Sequence, residues 1–134
     1  TAKWTDEATG LTCKGRVDYY RPDLRLIVDA KTALDASPGA FRKSCASYGY
    51  GRQEAMYRAG FEAIGKPVEH FVFLAVEKEP PHLVGLYTLA GESVSRGHES
   101  IRRDMETMAE CLRTGRWPGY SDELVELELP PWAA

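Results

Sequence analysis

The sequence lacks several features that would each define a class. No apolar run is long enough to cross a bilayer: the longest, Phe71 to Val76, is six residues, against the roughly 20 that a spanning helix needs. The opening, Thr1 to Gly10, is polar and carries charges of both signs, unlike a signal peptide. A cytoplasmic protein without membrane contact is the expectation, and the start at Thr rather than Met points to a chain trimmed from something longer. Cysteine is scarce. Cys13, Cys45 and Cys111 are odd in number and more than 30 residues apart, neither a zinc-ligand spacing nor a disulfide framework, and are expected as buried thiols. An excess of positive charge is also missing: 17 Lys and Arg against 20 Asp and Glu leave a net charge of −3. Contact with nucleic acid therefore has to use a local patch rather than a generally basic surface.

What is present is enough for one folded unit. With 134 residues, 43% apolar and 28% charged, the chain suits a single domain over 1–134 with a modest core, and no repeat or linker-like stretch divides it. Thr12 to Tyr20 and Leu24 to Thr32 are rich in β-branched and aromatic residues and read as strands. The Arg21-Pro22-Asp23 turn between them makes the pair antiparallel. Ser37-Pro38 opens a helical stretch that runs to about Gly65, with a break at Gly49 and Gly51. Val68 to Glu77 and Leu83 to Leu89 are near-continuous apolar runs, the pattern of strands buried within a sheet. From Glu92 to Thr114, Val94, Ile101, Met105, Met108 and Leu112 recur at helical spacing, and Gly115 ends the helix. The order ββααββα is that of a mixed α/β domain.

Chemistry concentrates on the second strand. In Val28-Asp29-Ala30-Lys31 the alternation of a strand puts Asp29 and Lys31 on one face. A hairpin centred between Asp23 and Leu24 sets Asp18 opposite Asp29, two like charges that are destabilising unless a cation lies between them. Magnesium suits this arrangement, because it takes oxygen ligands, needs only one or two protein carboxylates and keeps open positions for water and phosphate oxygens. Lys31 beside it is placed to orient an attacking water and to neutralise charge developing on phosphorus. On the helix that follows, Gln53 and Tyr57 are four apart and share a face, offering an amide and a hydroxyl for hydrogen bonding. Asp-x-Lys alone is common by chance and is ordinarily a solvated ion pair; its place late in an apolar strand, with a second Asp on the preceding strand and this helix after it, sets it apart.

Taken together, Gly15-x-x-Asp18, Asp29-Ala30-Lys31-Thr32 and Gln53-x-x-x-Tyr57 resemble the PD-(D/E)XK nuclease superfamily, in particular its RecB-like branch and, within it, the RecE-like (exonuclease VIII) nuclease domains of phages and prophages. The similarity extends through Tyr48-Gly49-Tyr50-Gly51-Arg52-Gln53, Phe71 to Leu74 and Leu129-Pro130-Pro131-Trp132-Ala133. The resemblance implies a restriction-endonuclease-like core, with a central mixed β-sheet flanked by helices. It also implies an exonuclease dependent on Mg²⁺, with Mn²⁺ able to substitute, that degrades linear double-stranded DNA from the 5′ end and leaves a 3′ single strand for an annealing protein. Ring-shaped homo-oligomers encircling DNA are implied as well. By the same resemblance Asp18, Asp29 and the Ala30 carbonyl are metal ligands, Lys31 is the catalytic lysine, and Gln53 and Tyr57 support the site.

One departure stands out. Such nucleases supply a further His or Glu from a helix upstream of the first Asp, and only 17 residues precede Asp18 here. Glu7 lies in a segment without helical periodicity and is expected to be exposed, which leaves the upstream helical segment outside this chain. His70, His82 and His98 follow the motifs and do not replace it. Some RecB-like relatives bind an iron–sulfur cluster through four cysteines, three of them near the C-terminus; only Cys111 lies in that region here, so no cluster is expected. Of the basic residues Arg42, Lys43, Arg52, Arg58, Arg102, Arg103, Arg113 and Arg116, Arg52 is the expected contact to the DNA backbone, because it adjoins Gln53. Two other readings stay open: a non-catalytic DNA-end-binding or assembly module of the same fold, and a site-specific endonuclease of the superfamily.

Overall fold

The computed structural model describes residues 1–133; Ala134, the last residue of the expected domain, lies outside the described residues. Pairing starts at once. Ala2–Thr5 (β1) runs antiparallel to Thr12–Gly15 (β2), with Ala2 opposite Gly15 and Trp4 opposite Cys13. The turn between them is closed by Asp6, whose Oδ2 accepts from the Thr9 N–H and hydroxyl at 2.9 and 2.6 Å, and by Gly10 at φ +72°, a conformation that costs glycine nothing. The polar opening segment is thus a strand. Its two inward residues, Ala2 and Trp4, are too few to show as a period, and its order comes from packing, since Ala2 is 1% exposed.

The expected strand over Thr12 to Tyr20 is interrupted. Pairing resumes at Tyr19–Arg21 (β3), and after a 3₁₀ turn at Pro22–Leu24 the long strand Leu26–Ala33 (β4) follows. These two are antiparallel, as the tight turn requires, with Tyr19 opposite Val28. Helices Pro38–Tyr48 (α1) and Tyr50–Ala63 (α2) then cross over to His70–Glu77 (β5), which lies parallel to β4. The break between the helices is Gly49 alone, at φ +67°; Gly51 lies within α2. Ser37 occupies the N-cap position of α1, yet its side chain makes no capping bond. Val84–Tyr87 (β6) pairs antiparallel with β5, and Gly91–Thr114 (α3) ends at Gly115, φ +70°. The main sheet has the order β3-β4-β5-β6 and β1-β2 forms a separate two-stranded sheet, so the expected order gains two strands.

The core lies between the main sheet and the helices. Ile27, Phe71, Phe73 and Ala75 point from β4 and β5 toward Phe41 and Phe61, and all six are at most 4% exposed. At about 25 cal/mol per Å², burial on this scale dominates the stabilisation of so small a domain. β6 corrects the expectation of a buried strand. It is an edge, with Val84 and Leu86 60% and 67% exposed, because its outward residues have no layer above them; only Tyr87 turns inward, donating its hydroxyl to the Ala36 carbonyl at 2.6 Å. Two glycines let α3 press on α2: a Cβ on Gly97 would lie 2.2 Å from the Gly51 carbonyl oxygen. The outer part of the predicted α3 stripe, Met108 and Leu112, stays about half exposed. All three cysteines are free and buried, as expected, and no helix among the described residues is long and apolar enough to cross a membrane.

Candidate active site

Strand β4 carries an inward row whose composition changes along its length. Ile27 is apolar, Asp29 follows on the same face, and Lys31 follows that, opposite Phe71, Phe73 and Ala75 of β5. Alternation therefore drives a carboxylate into the core: Asp29 is 3% exposed, one of two charged residues so deeply buried among the described residues. A buried charge needs partners, and they come from β4 itself and from α2. The Lys31 ammonium ion pairs with Asp29 Oδ2 and donates to Gln53 Oε1 at 2.7 Å. Gln53 Nε2 donates to Asp29 Oδ1 at 3.3 Å and to the Tyr57 hydroxyl at 3.2 Å. The polarity of the Gln53 amide is set by these partners, since a carboxylate only accepts and an ammonium only donates.

Tyr57 reaches this position because Gly15 has no side chain. A Cβ there would meet the Tyr57 ring at 3.1 Å, which gives a physical reason for glycine in the Gly15-x-x-Asp18 segment. Lys31 also lies over the ring of Tyr50, 4.6 Å from its centroid, an attraction for the cation that the sequence reading missed. The spacing of Tyr50 and Gln53, one turn apart on α2, is the signal that could have found it.

Asp18 joins from the side. The β3–β4 register, continued one residue past Tyr19 and Val28, sets it opposite Asp29, and its Oδ2 accepts from the Ala30 N–H at 2.8 Å. Burial pushes the Asp29 carboxyl above the usual range; the Lys31 ammonium opposes that, and the negative charge of Asp18 adds to it. Asp29 Oδ2 is fully buried and has the Lys31 ammonium as its partner. Two carboxylates, one of them buried, beside the Ala30 backbone are a hard-oxygen donor set that fits a divalent cation with few protein ligands. Among the described residues no group of three or more His, Cys, Asp and Glu side chains comes together. Glu7 is exposed in the turn after β1, and His70, His82 and His98 are exposed at a strand start, in a loop and on α3.

The structure therefore brings together Asp18, Asp29, Ala30, Lys31, Gln53 and Tyr57. It does not bring Arg52 into the group: that guanidinium is turned toward α3, 3.5 Å from Asp104, because consecutive residues on a helix point in different directions. Glu54, next after Gln53, was also missed. It is 1% exposed and ion paired with Arg58 at 2.8 Å, and Arg58 in turn donates to the Val68 carbonyl. One helix thus sends Gln53 to the site and Glu54 to a structural pair.

A mixed sheet backed by helices, with Asp-x-Lys on its second strand and a glutamine–tyrosine pair on the helix behind it, defines a PDDEXK-like module. Residues 1–128 match the family described as a PDDEXK-like domain of unknown function, and the chain belongs to that family. Among solved structures, the fold is similar to the crystal structure of a "Putative exonuclease" from Eubacterium rectale, with a TM-score of 0.64 and 16% identity over 96% of this chain and 53% of that one. The chain thus spans about half the length of that structure. No curated protein matches the chain significantly.

Proposed function

We propose that the chain is a metal-dependent deoxyribonuclease acting at the ends of linear double-stranded DNA. The observation that carries this reading is the buried carboxylate of Asp29, ion paired with the Lys31 ammonium and close enough to Asp18 to feel its negative charge. Asp18, Asp29 and the Ala30 carbonyl would hold the cation, Mg²⁺ in the first instance with Mn²⁺ as a substitute. When bound, it would supply a polarised phosphate oxygen and a water of lowered pKa.

The chain's own residues do the rest. Lys31 places a positive charge where negative charge builds on the phosphorus-centred transition state. Gln53 fixes the direction of that ammonium by accepting a hydrogen bond from it at 2.7 Å, and Tyr57 holds the other end of the same amide. Asp29 is the ion-pair partner of Lys31 on the same face of β4. The family supports phosphodiester chemistry, and the described likeness to an exonuclease fold supports action at ends. The finer features belong to the same proposal and rest on the RecE-like motifs: digestion from the 5′ end, a 3′ strand handed to an annealing protein, a ring-shaped homo-oligomer and a role in phage recombination.

The test is release of acid-soluble nucleotides from linear duplex and from closed circular DNA, with Mg²⁺ and with chelator. Loss of the linear form alone, only with metal, is the expected result. Cutting of the circle would favour the endonuclease reading, and tight binding to ends without any release would favour a non-catalytic module.

A further inference from the structure

Beside the lysine, the helix break creates an aromatic surface that the catalytic group does not use. α1 ends at Tyr48 and α2 begins at Tyr50, and the single left-handed Gly49 between them folds the two tyrosines together. Their rings lie 5.8 Å apart at an interplanar angle of 24°. Tyr50 stacks in the same way on Phe73, at 5.6 Å and 19°. The three rings form a graded series: Phe73 is fully buried, Tyr50 is half-buried and Tyr48 is 71% exposed. Lys31 sits over the middle ring, so the exposed tyrosine is one ring away from the site's ammonium.

Tyr48 also borders a recess of about 310 Å³ at the end of β4, lined among others by Thr32, Asp35, Phe41, Tyr50 and Lys78; Asp35 Oδ1 is engaged by the Ser37 N–H at 2.8 Å. That volume is at the lower end for sites that take small flat ligands. Lys78 is exposed and makes no ion pair among the described residues. Many of the arginines, by contrast, are paired with carboxylates, Arg21, Arg58, Arg102 and Arg113 among them. A free cation and an open aromatic face therefore meet in one recess of a chain with net negative charge. Single exposed aromatics are ordinary; an exposed ring stacked on a second ring that carries the site lysine is a platform.

We propose that Tyr48 is a stacking platform for an unpaired base of the DNA strand whose phosphodiester faces Lys31, with Lys78 against the phosphate of that nucleotide. The proposal rests on the nuclease reading above and adds to it a substrate form, a frayed or single-stranded terminus, and a residue that selects it. Stacking on an aromatic ring tolerates every base, so the site discriminates unpaired from paired ends and not one sequence from another. The cation serves the phosphate, which carries no sequence information either.

The experiment uses the full chain and a single-stranded oligonucleotide carrying the fluorescent base 2-aminopurine at its 5′ end, titrated in chelator so that binding is read without hydrolysis. Stacking quenches the fluorophore. The wild type should quench it, Tyr48→Ala should lose the quench and bind about tenfold more weakly, and Tyr48→Phe should retain both. With Mg²⁺, Tyr48→Ala should raise KM for frayed-end duplex by a similar factor and leave kcat within about twofold. Unchanged quenching and affinity in Tyr48→Ala, or no quenching by the wild type, would overturn the platform. Quenching through Tyr48 without hydrolysis of any DNA would leave the platform standing and remove the nuclease reading instead. The exposure of Tyr48 predicts an unchanged melting temperature for both variants, which separates a lost contact from a lost fold.

Discussion

The Lys31 ammonium donates to the Gln53 amide oxygen at 2.7 Å, from a strand to a helix 22 residues further on. That bond is what aims the lysine, since its other partner, Asp29, lies on the same strand. Gln53→Ala should lower kcat by about 10–100-fold with little change in KM, because positioning groups of this kind act on the transition state. Gln53→Glu should recover part of the loss, as a carboxylate still accepts from Lys31 but cannot donate to Asp29 or Tyr57. Steady-state kinetics on linear duplex checks both, and equal activity in Gln53→Ala and wild type would show the amide to be structural.

Glu54 gives a pH signature independent of catalysis. Burial raises its carboxyl above the ordinary 4.5, with Arg58 opposing. The folded state therefore binds this proton more tightly than the unfolded chain, so the contribution to stability is full below about 4.5 and is lost as pH rises through the raised value. Asp29 is shifted in the same direction. Glu54→Gln should flatten part of that decline in melting temperature without removing all of it. Arg58→Ala should cost about 2–3 kcal/mol, short of the fully buried case because 29% of the Arg58 side chain is exposed.

The Asp6–Arg102 pair has the opposite sign. It ties the β1–β2 turn to α3 at 2.5 Å, with Asp6 15% and Arg102 26% exposed, and the Arg102 hydrogen bond holds the Asp6 carboxyl below the ordinary 3.8. Its contribution is present above 3.8 and is lost as pH falls through the lowered value. Asp6→Asn should destabilise the protein by about 1–2 kcal/mol at neutral pH and by less in acid. Equal destabilisation at pH 7 and at the acid end would show that the charge plays no part.

Two glycine substitutions should act in opposite directions. A methyl at Gly97 meets the Gly51 backbone at 2.2 Å, so Gly97→Ala should push α2 and α3 apart and cost about 1–3 kcal/mol. Gly39, in the first turn of α1, has nothing within 4 Å of its would-be Cβ, and Gly39→Ala should stabilise by about 0.5 kcal/mol through the unfolded chain. Denaturant midpoints of the two variants beside wild type decide it.

The parts of this structure legible in the sequence are those where one local pattern sufficed. The Arg21-Pro22-Asp23 turn required antiparallel β3 and β4, strand alternation put Asp29 and Lys31 on one face, and a four-residue interval put Gln53 and Tyr57 on another. What was not legible depended on neighbours far along the chain. β1 is ordered because Trp4 packs on Gly60, where a Cβ would lie 2.4 Å from its ring; four residues carry no period by which to see that. The exposure of β6 follows from its place at the sheet edge, which an apolar run does not reveal. A helix separates adjacent side chains by about 100°, which is why Arg52 faces Asp104 while Gln53, its neighbour in sequence, faces the site.

The central claim, that chemistry resides on β4, is tested most directly by one comparison: Mg²⁺-dependent nucleotide release from linear duplex DNA by wild type and by Lys31→Ala, with circular dichroism of both. The account predicts degradation by wild type and a loss of about 10²–10³-fold in the variant with the fold retained. Equal degradation by folded Lys31→Ala would contradict it and place the chemistry elsewhere in the molecule.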